Sequence, residues 1–135
     1  VALARDGTEA QKEWGAAALL NLAANDANGL TIAEAGGIAP LVALARDGTE
    51  AQKENAAGAL RNLAASDANK VAIAEAGGIA PLVALARDGT EAQKEEAAAA
   101  LAVLAVNDAN KAAIAREGGI APLRAGVAVA RDELA

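Results

Sequence analysis

Along the middle of the chain, Ala56, Ala59, Leu60 and Leu63 form an apolar stripe at helical spacing. Thr49 stands ahead of the stripe, with Gln52 three residues further on. That is the spacing at which a hydroxyl cap and a returning amide satisfy the first free N–H groups of a helix. Asp47-Gly48 supplies the turn before it, and the polar residues at 66–69 stop it, so the pattern predicts a long helix over 49–65. A shorter helix is predicted over 67–76, capped by Ser66 or Asp67. Gly77-Gly78 ends it, because glycine takes the left-handed position after a helix at little cost. A third helix is predicted over 79–87, with Pro81 in the first turn, where a missing N–H goes unnoticed. The expected core is Leu60, Leu63, Ile73, Ile79, Leu82 and Leu85. Each of these side chains contributes ~1.5–3 kcal/mol on burial.

The same pattern then repeats. VALARDGTEAQKE begins at Val1, Val42 and Val83, IAEAGGIAPLVALARD begins at Ile32 and Ile73, and IAREGGIAPL follows at Ile114. The period is 41 residues. One such unit cannot bury its own apolar face; stacking neighbours does, which makes the array a solenoid. The reading is one all-α domain over 1–135, about three repeats, incomplete at both ends.

The stretches AAGALRNLAA (56–65) and NKVAIAEAGGIAPLVALA (69–86), with their copies over nearly the whole chain, resemble armadillo repeats. The resemblance implies a right-handed superhelix of three-helix repeats. It also implies that the long helices at 8–24, 49–65 and 90–106 line a concave groove that binds extended peptides or partner proteins. The family's ladder asparagine falls on Asn21 and Asn62, with Val103 in the third copy. The tryptophan one turn earlier in many peptide-binding members is replaced by Ala17, Gly58 and Ala99, a departure from an importin-like grip on a basic signal peptide. A soluble intracellular setting is likewise what the resemblance implies.

Differences between near-identical copies are informative in themselves. In the long helix they fall at Trp14/Asn55/Glu96, Gly15/Ala56/Ala97, Ala17/Gly58/Ala99, Leu20/Arg61/Ala102, Asn21/Asn62/Val103 and Ala24/Ala65/Val106. Most of these share one helix face. Leu19/Leu60/Leu101 and Leu22/Leu63/Leu104 do not vary and are read as core. A face free to vary is expected not to pack against the next repeat. The candidate contact residues are therefore Trp14, Leu20, Asn21, Asn55, Arg61, Asn62 and Glu96. Trp14 is the only aromatic residue, and aromatic anchors beside amides suit a peptide or partner site. Glu96 favours a cationic group. The plainer alternatives are a Trp14 that covers an end of the solenoid, and asparagines that bond a neighbouring helix or only water.

Composition narrows the chemistry. Cysteine and histidine are absent and Ser66 is the single serine, which reads as a helix cap. A nucleophilic triad lacks its base, and a metal site lacks its preferred ligands. Neighbouring carboxylates such as Glu95-Glu96 do not face one another on a helix. The expectation is a protein with no catalytic residues, metal or cofactor. The net charge is −6, with bases interleaved with acids as in Arg5-Asp6 and Lys12-Glu13. Nucleic acid and anionic membrane are therefore poor partners. No uninterrupted apolar stretch reaches the ~20 residues of a membrane span, and no signal-peptide pattern opens the chain.

The ends suggest a second reading. Solenoids normally finish in polar capping faces, and none is recognisable here, so both ends are expected to expose apolar surface. After position 123 the pattern breaks: Arg124 stands where valine is expected, and Gly126 replaces a core leucine. The alternative to a peptide- or protein-binding scaffold is thus a structural module, natural or designed, that forms a homo-oligomer through its end repeats.

Overall fold

A computed structural model describes residues 1–120 as nine α-helices joined by short turns, with no strand among the described residues. The helices are α1 Ala2–Asp6, α2 Glu9–Ala23, α3 Asp26–Glu34, α4 Ile38–Asp47, α5 Glu50–Leu63, α6 Asp67–Glu75, α7 Ile79–Asp88, α8 Glu91–Leu104 and α9 Asp108–Arg116. The three-helix period read from the sequence is present, with boundaries within one or two residues of expectation.

The caps act as predicted. The Thr49 hydroxyl accepts from the Gln52 N–H at 3.2 Å, and Gln52 Oε1 accepts from the Thr49 N–H at 3.0 Å. The same box closes at Thr8 and Thr90. Ser66, rather than Asp67, caps α6. At the double glycine, Gly77 has φ +80°, the Gly78 N–H reaches the Ile73 carbonyl at 2.9 Å and the Gly77 N–H reaches Ala74 at 3.0 Å. This paired closure is the helix ending that favours glycine in the left-handed position. It turns the chain by 86° from α6 into α7, and the equivalent turn from α3 into α4 is 89°.

The long helices α2, α5 and α8 stack side by side, with α4 and α7 packed against α5 and α8. Between them lies one apolar core in which Leu41, Leu60, Leu63, Ile73, Leu82, Leu101 and Leu104 are fully buried. All six residues expected to dominate the core are buried. Leu22, read as core, is corrected: it is 50% exposed, whereas its copies Leu63 and Leu104 are 1% and 0%. Its side chain points to where a preceding repeat would stack, and no helix of this chain occupies that place.

Polar hooks join successive repeats. Gln52 Nε2 donates to the Glu9 carbonyl at 2.8 Å, and Gln93 Nε2 donates to Glu50 at 2.9 Å. On the short helices, Asn69 Nδ2 donates to the Gly29 carbonyl at 3.4 Å and Asn110 Nδ2 to Lys70 at 3.2 Å. All four side chains are buried. A buried amide left without a partner is costly, so these bonds hold one repeat in register on the next. The expectations for Arg124, Gly126 and the rest of 124–135 lie outside the described residues.

Candidate functional site

The candidate residues lie on the long-helix face. Trp14 on α2 is 75% exposed, and Asn55 and Glu96 occupy the same position on α5 and α8, half-buried. The rise in burial has a simple cause: Asn55 and Glu96 each have a long helix stacked ahead of them, and Trp14 has none in this chain. Asn21 is exposed for the same reason.

Four of the candidates form one cluster across the three long helices. Arg61 Nη1 on α5 lies 3.1 Å from Glu96 Oε2 on α8. The guanidinium is at ion-pair distance but off the hydrogen-bonding axis, so this sealed carboxylate oxygen has no hydrogen-bond donor. Leu20 on α2 leans over Gly58. A Cβ at Gly58 would come within 2.5 Å of Leu20 Cδ1 and 3.2 Å of Glu96 Oε2. The position to which the armadillo resemblance assigns a tryptophan is therefore filled from the neighbouring helix. Asn62 Nδ2 donates to the Leu20 carbonyl at 2.9 Å, tying α5 to α2. An amide has a second N–H and an acceptor oxygen, so this bond leaves Asn62 polar capacity for a ligand. Val103, its copy on α8, has none.

The variable face is thus not wholly free of the neighbouring repeat. Leu20 packs over Gly58 and its carbonyl accepts from Asn62, contacts across 38 to 42 positions that helical periodicity alone does not show. Trp14 and Asn21 stand apart from this cluster at the outer edge of the array.

A cleft away from this face was not anticipated. A cleft of about 430 Å³ lies between the ends of α4 and α7 and the starts of α5 and α8, lined by Arg46, Glu50, Lys53, Pro81, Asp88 and Gln93 among others. It contains none of the candidate residues, and it is lined by both acidic and basic side chains. Among the described residues, no three His, Cys, Asp or Glu side chains gather in a way that could hold a metal ion. No single described helix is long and apolar enough to cross a membrane.

Comparison with known proteins agrees with this geometry. The profile of the armadillo/beta-catenin-like repeat matches residues 25–65 and 66–106, which are the units α3–α4–α5 and α6–α7–α8. No curated protein sequence matches. Among solved structures, computationally designed armadillo repeat proteins for modular peptide recognition are 34% identical with a TM-score of 0.84, the match covering 90% of this chain and 52% of that one. A designed armadillo repeat protein in complex with the peptide (KR)4 is 30% identical with a TM-score of 0.80, over 87% of this chain and 50% of that one. An engineered protein is 31% identical with a TM-score of 0.83, over 89% and 50%. The chain spans about half the length of these structures.

Proposed function

The chain belongs to the armadillo repeat family, and from that membership we propose that the concave face of α2, α5 and α8 binds an extended peptide or a segment of a partner protein. The family is a non-catalytic scaffold, and its chemistry here is recognition. The observation that carries the proposal is Trp14, 75% exposed, at the same repeat position as Asn55 and Glu96 on a long-helix face where the near-identical repeats differ. Tryptophan and arginine are enriched where protein surfaces bind, and both lie on this face.

The residues suggest a division of labour. Trp14 offers a flat apolar surface at one edge, Asn21, Asn55 and Asn62 offer amides to a peptide backbone, and Glu96, a quarter exposed, offers a cationic side chain its other carboxylate oxygen, the one not facing Arg61. The designed relatives, one described for modular peptide recognition and one in complex with (KR)4, support a peptide as the ligand class.

Trp14 is the only tryptophan and the chain lacks tyrosine, so its fluorescence reports on this face alone. A broad library of extended peptides is expected to contain members that shift Trp14 emission saturably, with the response weakened by Asn55→Ala and Glu96→Ala. A library in which no peptide shifts the emission or binds by calorimetry would overturn the proposal.

A further inference from the structure

We propose that Arg61 sets the charge preference of the long-helix face. Its guanidinium occupies Glu96 from within the chain, so the face takes basic peptides weakly, and removing it turns the junction of α5 and α8 into a site for a cationic side chain. The proposal rests on the groove reading and specifies the ligand charge that reading leaves open.

Six positions of the long helix differ between copies, and on α5 and α8 they hold only two charged residues, Arg61 and Glu96. The fold sets these two against each other, with Arg61 Nη1 3.1 Å from Glu96 Oε2. The chain's net charge of −6 is therefore carried elsewhere, and this stretch of the face is balanced. The contact belongs to the interior of the array, since α5 packs against both α2 and α8. Asn55, at the repeat position of Glu96 and with a long helix on either side, is also half-buried. The position thus opens onto the face even inside the stack.

Arg61 opposes a basic ligand in two ways. A cation that approaches Glu96 meets the guanidinium at similar range, and Coulomb terms of opposite sign at similar distance largely cancel. Arg61 also covers an acceptor. Glu96 Oε2 is sealed yet has no hydrogen-bond partner, because the guanidinium lies off its hydrogen-bonding axis. Gly58 gives this oxygen its room: a Cβ there would stand 3.2 Å from it. The two side chains remain 38% and 25% exposed, so solvent and ligand reach the pair. Loss of Arg61 uncovers Oε2 and leaves the carboxylate without its counter-charge. Both oxygens can then accept the aligned, charge-assisted bonds of a ligand ammonium or guanidinium.

Calorimetric titration with a peptide of alternating lysine and arginine tests this on the full chain. Arg61→Ala keeps the helix, alanine being its best former. It is expected to bind the peptide about three- to tenfold more tightly than wild type, the range of one charge-assisted hydrogen bond at a partly exposed site. Arg61→Ala combined with Glu96→Gln is expected to lose that gain. Arg87→Ala on α7 removes the same unit of charge outside the face, and is expected to change the affinity less than about twofold in physiological salt. Equal affinity of wild type and Arg61→Ala overturns the proposal. So does a gain that survives Glu96→Gln, a gain matched by Arg87→Ala, or a peptide that binds none of the variants. Each of these outcomes leaves the groove reading standing, because that reading is decided by whether any library peptide shifts Trp14 emission.

Discussion

Gln93 on α8 donates through Nε2 to the main-chain oxygen of Glu50 on α5 at 2.9 Å, reaching back 43 residues to the previous repeat. The same side chain closes the capping box of its own helix through Oε1, which accepts from the Thr90 N–H at 3.0 Å. One amide therefore starts a helix and fixes the stacking of two.

Gln52 carries this double duty and Gln11 carries only the cap, which separates the two contributions. Gln52→Ala is expected to destabilise the chain by about 1–3 kcal/mol, because it leaves buried groups unpaired. Gln11→Ala, at an exposed copy of the cap, is expected to cost less than ~1 kcal/mol. Urea unfolding of both variants reads the difference; equal losses would mean that the hook to Glu9 contributes nothing.

Leu63 and Leu22 make a second matched pair, being the same repeat position with and without a covering neighbour. Leu63→Ala is expected to cost ~2–5 kcal/mol through lost burial and a residual cavity. Leu22→Ala, half exposed, is expected to cost under half of that at concentrations where the chain is monomeric. Thermal melts of the two variants would contradict the assigned helix faces if they shifted alike.

Gly77 isolates a backbone effect. Its φ is +80° and a Cβ there would meet nothing within 4 Å, so space is no obstacle to alanine. Gly77→Ala is expected to cost about 1–2 kcal/mol from the left-handed conformation alone, and Gly77→Asn less than alanine. Chemical denaturation that ranks Asn below Ala would contradict this account of the turn.

Arg61 and Glu96 meet at a partly exposed site, and their attraction competes with water. A double-mutant cycle to alanine is expected to give a coupling of about 0.2–1 kcal/mol in stability, shrinking as salt is raised. A coupling that does not change between low and high salt would mean that the pair acts through packing instead.

Much of the fold was legible because it depends on local signals repeated three times. Thr49 with Gln52, Gly77-Gly78 and the Leu60/Leu63 stripe each announce their element within a few residues. The hooks were not legible. Gln52 read as a cap and Asn69 as part of a stop signal, because their second partners, Glu9 and Gly29, lie about 40 residues away. The candidate face was legible as variation between copies, which located Trp14, Asn55 and Glu96 together. That Leu20 fills the space over Gly58 was not, since it is a matter of shape between two helices rather than of pattern along one. Leu22 was misread for a related reason: a repeat sequence states what each position does inside the array, and the first copy has nothing stacked ahead of it.

The central claim is that ligands bind along the long helices, on the face where the repeats differ. Amide chemical-shift mapping with the best peptide from the fluorescence screen tests it most directly. The account predicts perturbations gathered at Trp14, Asn55, Gly58, Arg61, Asn62 and Glu96, with Leu3, Leu22 and Asn28 unmoved. Perturbations confined to that end face, or to the cleft around Arg46 and Asp88, would contradict it.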